Sequence, residues 1–151
     1  MKVWIMRGIP GAGKDTFIDK ELKSFDPIII CCDDKHMVNG TYQFDKNKAE
    51  EYHNQCLFDF VDALRQRQNI VVNNTNIRMF ELAPYYRLAQ AFGYEVQIVQ
   101  FMCDPELGIA RNVHNVPPET VRFMAKSIEP VPPWWNVMYV PSADTLGRKV
   151  Q

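Results

Sequence analysis

The sequence lacks most features that mark out a protein's class before any motif is read. Its 17 basic and 18 acidic residues leave a formal charge of −1 over 151 residues, so no global field gathers a polyanion. Nucleic-acid binding would have to rest on a local basic patch. The four cysteines, Cys31, Cys32, Cys56 and Cys103, form no C-x-x-C pair, and the three histidines have no metal-ligand spacing. That argues against a zinc or disulfide framework, and the expectation is reduced thiols in a cytoplasmic protein. No apolar run approaches the roughly 20 residues needed to cross a bilayer. The opening "MKVWIMRGIPG" runs straight into glycines and reads as a strand, not a signal peptide. Internal repeats and low-complexity segments are missing too, and the length fits one domain with a single core.

What is present is an alternation of apolar runs with amphipathic stretches. Residues 2–7, 27–32, 69–73 and 94–102 read as buried strands, with Cys31-Cys32 inside the second, and a short fifth strand is expected over 136–140. Helices are expected from Gly13 to Ser24, Asn47 to Gln68, Arg78 to Phe92, Asp104 to Asn112 and Pro117 to Ile128. Pro84 should break the third of these or restart it. Residues 35–46 read as a polar loop covering something. The pattern predicts an α/β fold with a central parallel sheet of four to five strands between helical layers. The domain is expected over residues 1–142, with a lid around 111–118 and a tail over 143–151.

The most informative segment is "GIPGAGKDTF". Gly8, Gly13 and Lys14 make G-x-x-x-x-G-K between a strand and a helix, with Gly11 as an added glycine. In such a loop the backbone N–H groups form an anion nest, and the helix N-terminus adds its positive dipole end. Gly8, Pro10, Gly11, Ala12, Gly13, Lys14, Asp15 and Thr16 are therefore the expected phosphate-binding residues of a nucleotide site, with Lys14 against the β- and γ-phosphates. Asp33 and Asp34 follow the second strand, at the sheet edge where ligands bind in open α/β folds. A carboxylate there can take the proton of an attacking hydroxyl. Lys35 and His36 are candidates to touch an anionic substrate, and "NNTNIR" puts Asn74, Thr75 and Asn76 beside them.

Two positions depart from the usual metal arrangement. The residue after the loop lysine normally carries a hydroxyl for Mg²⁺, and here it is Asp15. The third strand normally ends in a Walker-B acid, and here it ends in Asn73-Asn74. The expectation is an exchange in which Asp15 supplies the anionic ligand and Asn74 or Thr75 orients it. Arg111, His114 and Arg122 are candidates for a lid over the phosphates, Arg122 alternatively anchoring its helix. Trp134 and Trp135 are expected to pack the C-terminal segment onto the core, not to stack on bases.

The segments "GIPGAGKDTF", "CCDDKHM", "VVNNTNIR" and "ARNVHNVPPETVRFMAKS" together resemble the kinase domain of bacteriophage-type polynucleotide kinases, in order and spacing over about residues 1–128. The resemblance implies a P-loop kinase fold and ATP- and Mg²⁺-dependent transfer of a γ-phosphoryl group to a hydroxyl on DNA. Asp33 would be the general base, Lys14 the phosphate clamp and Arg111 a lid arginine. His36 stands where that family has a substrate-holding arginine, and Asn115 where it has a second lid arginine. Relatives of the family phosphorylate the hydroxymethyl group of 5-hydroxymethyluracil in DNA. A nucleoside monophosphate or other small-molecule kinase, whose loops also read "GKDT", and a nucleotide-dependent switch module are the competing classes.

Overall fold

The apolar runs become strands because the chain can bury both of their faces. The computed structural model describes residues 1–141, and the expected tail over 143–151 lies outside them. Strands β1 (Lys2–Arg7), β2 (Ile28–Ile30), β5 (Ile70–Asn73), β6 (Glu95–Met102) and β7 (Val137–Pro141) form one sheet in the order β2-β5-β1-β6-β7. Every neighbouring pair is parallel. Side chains alternate along β1. Val3 and Ile5 enter a core with Phe60, Leu64, Leu82 and Tyr85 from helices α2 (Ala49–Arg65) and α3 (Met79–Ala91). Trp4 and Met6 enter a second core on the opposite face, with Leu22 from the segment after the phosphate loop and Val121 from α5 (Pro118–Lys126). The result is helix, sheet, helix: three layers, as the sequence predicts.

Several boundaries moved for physical reasons. β2 stops at Ile30, so Cys31 and Cys32 lie just beyond it in the turn toward Asp33. The helix after the loop is α1 (Lys14–Phe17), which widens into a π-helical Ile18–Leu22 and tightens into a 3₁₀ turn Lys23–Phe25. Pro84 does not break α3, which runs unbroken to Ala91. Its missing N–H forfeits one hydrogen bond near the start. The Glu81 carboxylate, accepting the Arg78 N–H, and the burial of Leu82, Tyr85, Tyr86 and Ala89 hold the helix regardless.

The expected polar loop over 35–46 holds a 3₁₀ turn, Asp33–His36, and a hairpin of β3 (Met37–Val38) and β4 (Thr41–Tyr42). Its turn is Asn39-Gly40, at φ 51° and 80°. That dipeptide is the commonest solution for a two-residue hairpin turn, and it was the local signal for this element. The last helix before the lid loop is α4 (Pro105–Arg111), capped by the Asp104 carboxylate on the Glu106 N–H.

One buried cation organises the sheet edge. Arg7, only 1% exposed at the end of β1, donates to the carbonyls of Asn76 (2.8 Å), Ile77 (2.7 Å) and Glu129 and to the Gln100 amide (3.1 Å). It pins the segment after β5 and the segment after α5 to the sheet. Desolvation lowers its pKa, and the Glu129 carboxylate opposes that.

Candidate active site

The phosphate loop, the turn at Asp33, the end of β5 and the loop after α4 surround one cleft of about 1570 Å³. A single small ligand usually fills 300–1,000 Å³, so this cleft has room for a donor and an acceptor. On its floor, Gly11 and Gly13 take left-handed φ values of 78° and 99°. Gly11 lies against Gly108 of α4: a Cβ on Gly11 would sit 2.2 Å from the Gly108 carbonyl oxygen. A Cβ on Gly108 would sit 2.7 Å from the Pro10 oxygen. The loop is therefore seated on a second glycine, which sequence reasoning missed. A glycine inside the helical pattern "PELGIAR" was the available sign.

Lys14 Nζ donates to the carbonyls of Gly8 (2.9 Å) and Ile9 (2.8 Å). Burial pushes its pKa from 10.5 down to about 8, against the opposing charges of Asp15 and Asp33. Pro10, Gly11, Ala12, Gly13, Asp15 and Thr16 also line the cleft, whereas Gly8 is buried beneath it with its N–H on the Thr75 carbonyl.

Asp33 and Asp34 reach the cleft, Asp34 the more exposed. The Tyr42 hydroxyl donates to Asp33 Oδ1 at 3.4 Å, and His114 Nε2 approaches Oδ2 at 3.6 Å. The Tyr42 and His114 rings lie 4.3 Å apart between centroids. Burial and the Asp33 charge raise the Tyr42 phenol to about 12, so it remains a donor. Tyr42 is a second residue that sequence reasoning missed, because it belongs to the unrecognised hairpin.

Three expected substrate residues have different duties. His36 is buried among the rings of Tyr42, Phe44 and Tyr52, and its Nδ1 accepts from the Asp45 N–H at 3.3 Å. It edges the cleft but mainly anchors the hairpin. Asn76 does not line the cleft; its amide donates to the Met6 carbonyl at 2.8 Å beneath the Arg7 clamp. Asn74 reaches the cleft, yet its Oδ1 accepts the Cys32 N–H at 2.8 Å, tying β5 to the end of β2. Thr75 lines the cleft.

The amide that meets Asp15 is Asn73: its Nδ2 donates to Asp15 Oδ1 at 2.7 Å. The proposed partner of the loop carboxylate is thus displaced by one residue. Asn73 Oδ1 is buried without a hydrogen-bond partner. An orphan amide oxygen beside a carboxylate is a donor set that suits a hard cation such as Mg²⁺.

Arg111, Asn112, His114 and Asn115 line the cleft's far wall. Asn112 shapes this lid loop, donating to the Val116 carbonyl at 2.7 Å and accepting from the His114 N–H at 3.2 Å. Asn115 is exposed at φ 54°. Arg122 stays off the cleft and makes a two-pronged pair with Glu106 at 2.7 and 3.1 Å, so it joins α5 to α4. Neither tryptophan lines the cleft. Trp135 stacks on Tyr86 at 3.9 Å within the core, while Trp134 is 77% exposed.

A family described as an AAA domain matches residues 3–128. The chain belongs to this AAA domain family, in its P-loop kinase-type form. It is 31% identical over 127 residues to human NEDD4-binding protein 2, a match covering 80% of this chain and 7% of that protein. In three dimensions it is similar to a gluconokinase from Sinorhizobium meliloti 1021, with a TM-score of 0.65, 14% identity and coverage of 97% and 86% of the two chains. It is also similar to a chain of the Pnkp1/Rnl/Hen1 RNA repair complex, with a TM-score of 0.70, 18% identity and coverage of 84% and 43%. The AAA domain thus has the fold of P-loop kinases, and no helix among its described residues is long and apolar enough to cross a membrane.

Proposed function

We propose that this domain is an ATP-dependent kinase that transfers the γ-phosphoryl group to a hydroxyl on DNA. The observation that carries the reading is the half-buried Asp33 carboxylate, which lines the same cleft as Lys14, feels its charge, and is hydrogen-bonded by Tyr42. The loop N–H groups and Lys14 would cradle the phosphates. Asp33 would accept the proton of the attacking hydroxyl while Tyr42 fixes the carboxylate's orientation. Arg111 would cover the transferring group and stabilise its spread charge, with Asn115 beside it. Asp15 and Asn73 would hold Mg²⁺, which when bound neutralises charge on the β- and γ-phosphate oxygens.

Two features bear on the acceptor. The four sequence segments resemble polynucleotide kinases, and one fold neighbour belongs to an RNA repair complex. His36, however, replaces a substrate-holding arginine and is walled in by aromatic rings. Its walled-in ring lacks the guanidinium fork that an arginine would extend to a phosphate adjoining the acceptor hydroxyl. That favours the hydroxymethyl group of 5-hydroxymethyluracil over a 5′-terminal hydroxyl. It also supports a second reading, a kinase acting on a neutral small alcohol.

Transfer of labelled γ-phosphate should be measured in parallel on 5′-hydroxyl oligonucleotides, 5-hydroxymethyluracil DNA, nucleoside monophosphates and simple polyols. Label on DNA is expected, and its loss in Asp33→Asn with ATP binding retained. Label confined to small molecules would overturn the DNA reading. Acceptor-independent hydrolysis untouched by Asp33→Asn would mark a nucleotide switch instead.

A further inference from the structure

The mechanism above leaves two buried nucleophiles unused, one residue away from its base. Cys32 Sγ lies 2.9 Å from Cys56 Sγ and 3.3 Å from His53 Nδ1. Both cysteines are free thiols. Cys32 follows β2 and Cys56 lies on α2, so the contact joins the Asp33 turn to that helix. Other bonds hold it in place: Lys35 pairs with Asp59 at 2.7 Å between the same two elements, and the Cys32 N–H is bonded to Asn74. Cys56 is fully buried, but Cys32 and the exposed His53 belong to the cleft wall, so a small solute reaches the pair from the cleft.

We propose that Cys32 and Cys56 form a site of reversible oxidation, converted to a disulfide by hydrogen peroxide entering through the cleft. His53 Nδ1 takes the Cys32 thiol proton, and the sulfur attacks one peroxide oxygen. The O–O bond breaks, and the departing hydroxide takes the proton from His53 to become water. Cys32 is left as a sulfenic acid. The Cys56 sulfur then attacks Cys32 Sγ, the S–O bond breaks, and the released hydroxide takes the Cys56 proton as a second water. Two thiols lose two electrons and two protons, and one peroxide becomes two waters. A disulfide holds its sulfurs about 2.0 Å apart. Closing the present 2.9 Å separation therefore moves the residue that precedes Asp33. The resulting loss of phosphoryl transfer rests on the proposed function; the bond itself does not.

The folded 151-residue chain should be treated with equimolar hydrogen peroxide, then denatured, titrated for thiols and mapped without reduction. Titratable thiols should fall from the four in the sequence to two, with tryptic peptides 24–35 and 49–65 linked, and dithiothreitol should reverse both. The link should survive Cys31→Ser and vanish in Cys32→Ser. In Cys56→Ser, dimedone should label Cys32, and His53→Gln should slow oxidation at least about tenfold. A link through Cys31 or Cys103, or four thiols remaining, would overturn the proposal. The wild-type map stands even if a serine variant fails to fold, and thiol counts are independent of any kinase activity.

Discussion

The contact between Gly11 and Gly108 makes the phosphate loop depend on a residue three-quarters of the way along the chain. Gly108→Ala isolates that dependence, because no left-handed φ is recorded for Gly108. Its new Cβ would stand 2.7 Å from the Pro10 oxygen, so the loop must retreat by about 0.7 Å to reach the 3.4 Å of ordinary contact. Overpacking of this kind costs about 1–3 kcal/mol, while alanine in a helix recovers up to ~1 kcal/mol relative to glycine. Net destabilisation should be about 0–2 kcal/mol, a drop in Tm of a few degrees for a chain of this size. Binding should suffer more, since the displaced atoms are those proposed to cradle the phosphates, and misplacement by an ångström costs on the order of 100-fold in a catalytic site. Calorimetry should show ATP affinity down at least about tenfold.

Gly11→Ala adds a φ of 78° to a 2.2 Å approach and should be worse on both counts. Gly93→Ala serves as the control: its φ of 77° is strained but its Cβ meets nothing within 4 Å, so it should cost ~1–2 kcal/mol of stability as left-handed strain, lower Tm accordingly, and leave ATP affinity alone. If Gly108→Ala binds ATP as the wild type does, the loop is not seated on α4 and the reasoning fails.

Other outcomes follow from the same cleft. With Lys14 at about 8 in the free protein, ATP affinity should fall by up to about tenfold per pH unit above 8, because the phosphates need the charged form. Stability of the free chain should run the other way, rising from pH 8 to 10.5 as the unfolded state holds the extra proton; a flat binding profile from pH 7 to 9.5 would exclude a buried Lys14. Asp15→Ser should raise the Mg²⁺ concentration at half-maximal turnover, and adding Asn73→Asp should partly restore it where Asn74→Asp does not; equal rescue by both would remove the distinction between the two amides. Tyr42→Phe should lower kcat about tenfold or less with little change in KM for ATP, and an unchanged kcat with a raised acceptor KM would make Tyr42 a binding residue. Phe60→Ala, at a site fully buried against Tyr85, should cost about 3–5 kcal/mol by denaturant titration; a cost below 1 kcal/mol would contradict its place in the core.

The sequence by itself determined the parallel sheet, the phosphate loop and the Asp33 turn. Each rests on local chemistry: short apolar runs bounded by turn residues read as strands covered on both faces, and G-x-x-x-x-G-K between strand and helix is the pattern of an anion-binding loop. The Asn39-Gly40 hairpin was equally local, and so was legible even though it was read as loop. Tertiary structure alone decided the rest. Asn73 and Asn74 are chemically identical neighbours, and successive residues at a strand end point to opposite sides. Only the register of β5 between β1 and β2 gives Asn73 to Asp15 and Asn74 to Cys32. Asn76 looked like a substrate ligand until the Arg7 clamp drew its segment inward. Gly11 with Gly108, Tyr42 and His114 with Asp33, and Cys32 with Cys56 meet by the close approach of elements that neither composition nor spacing relates.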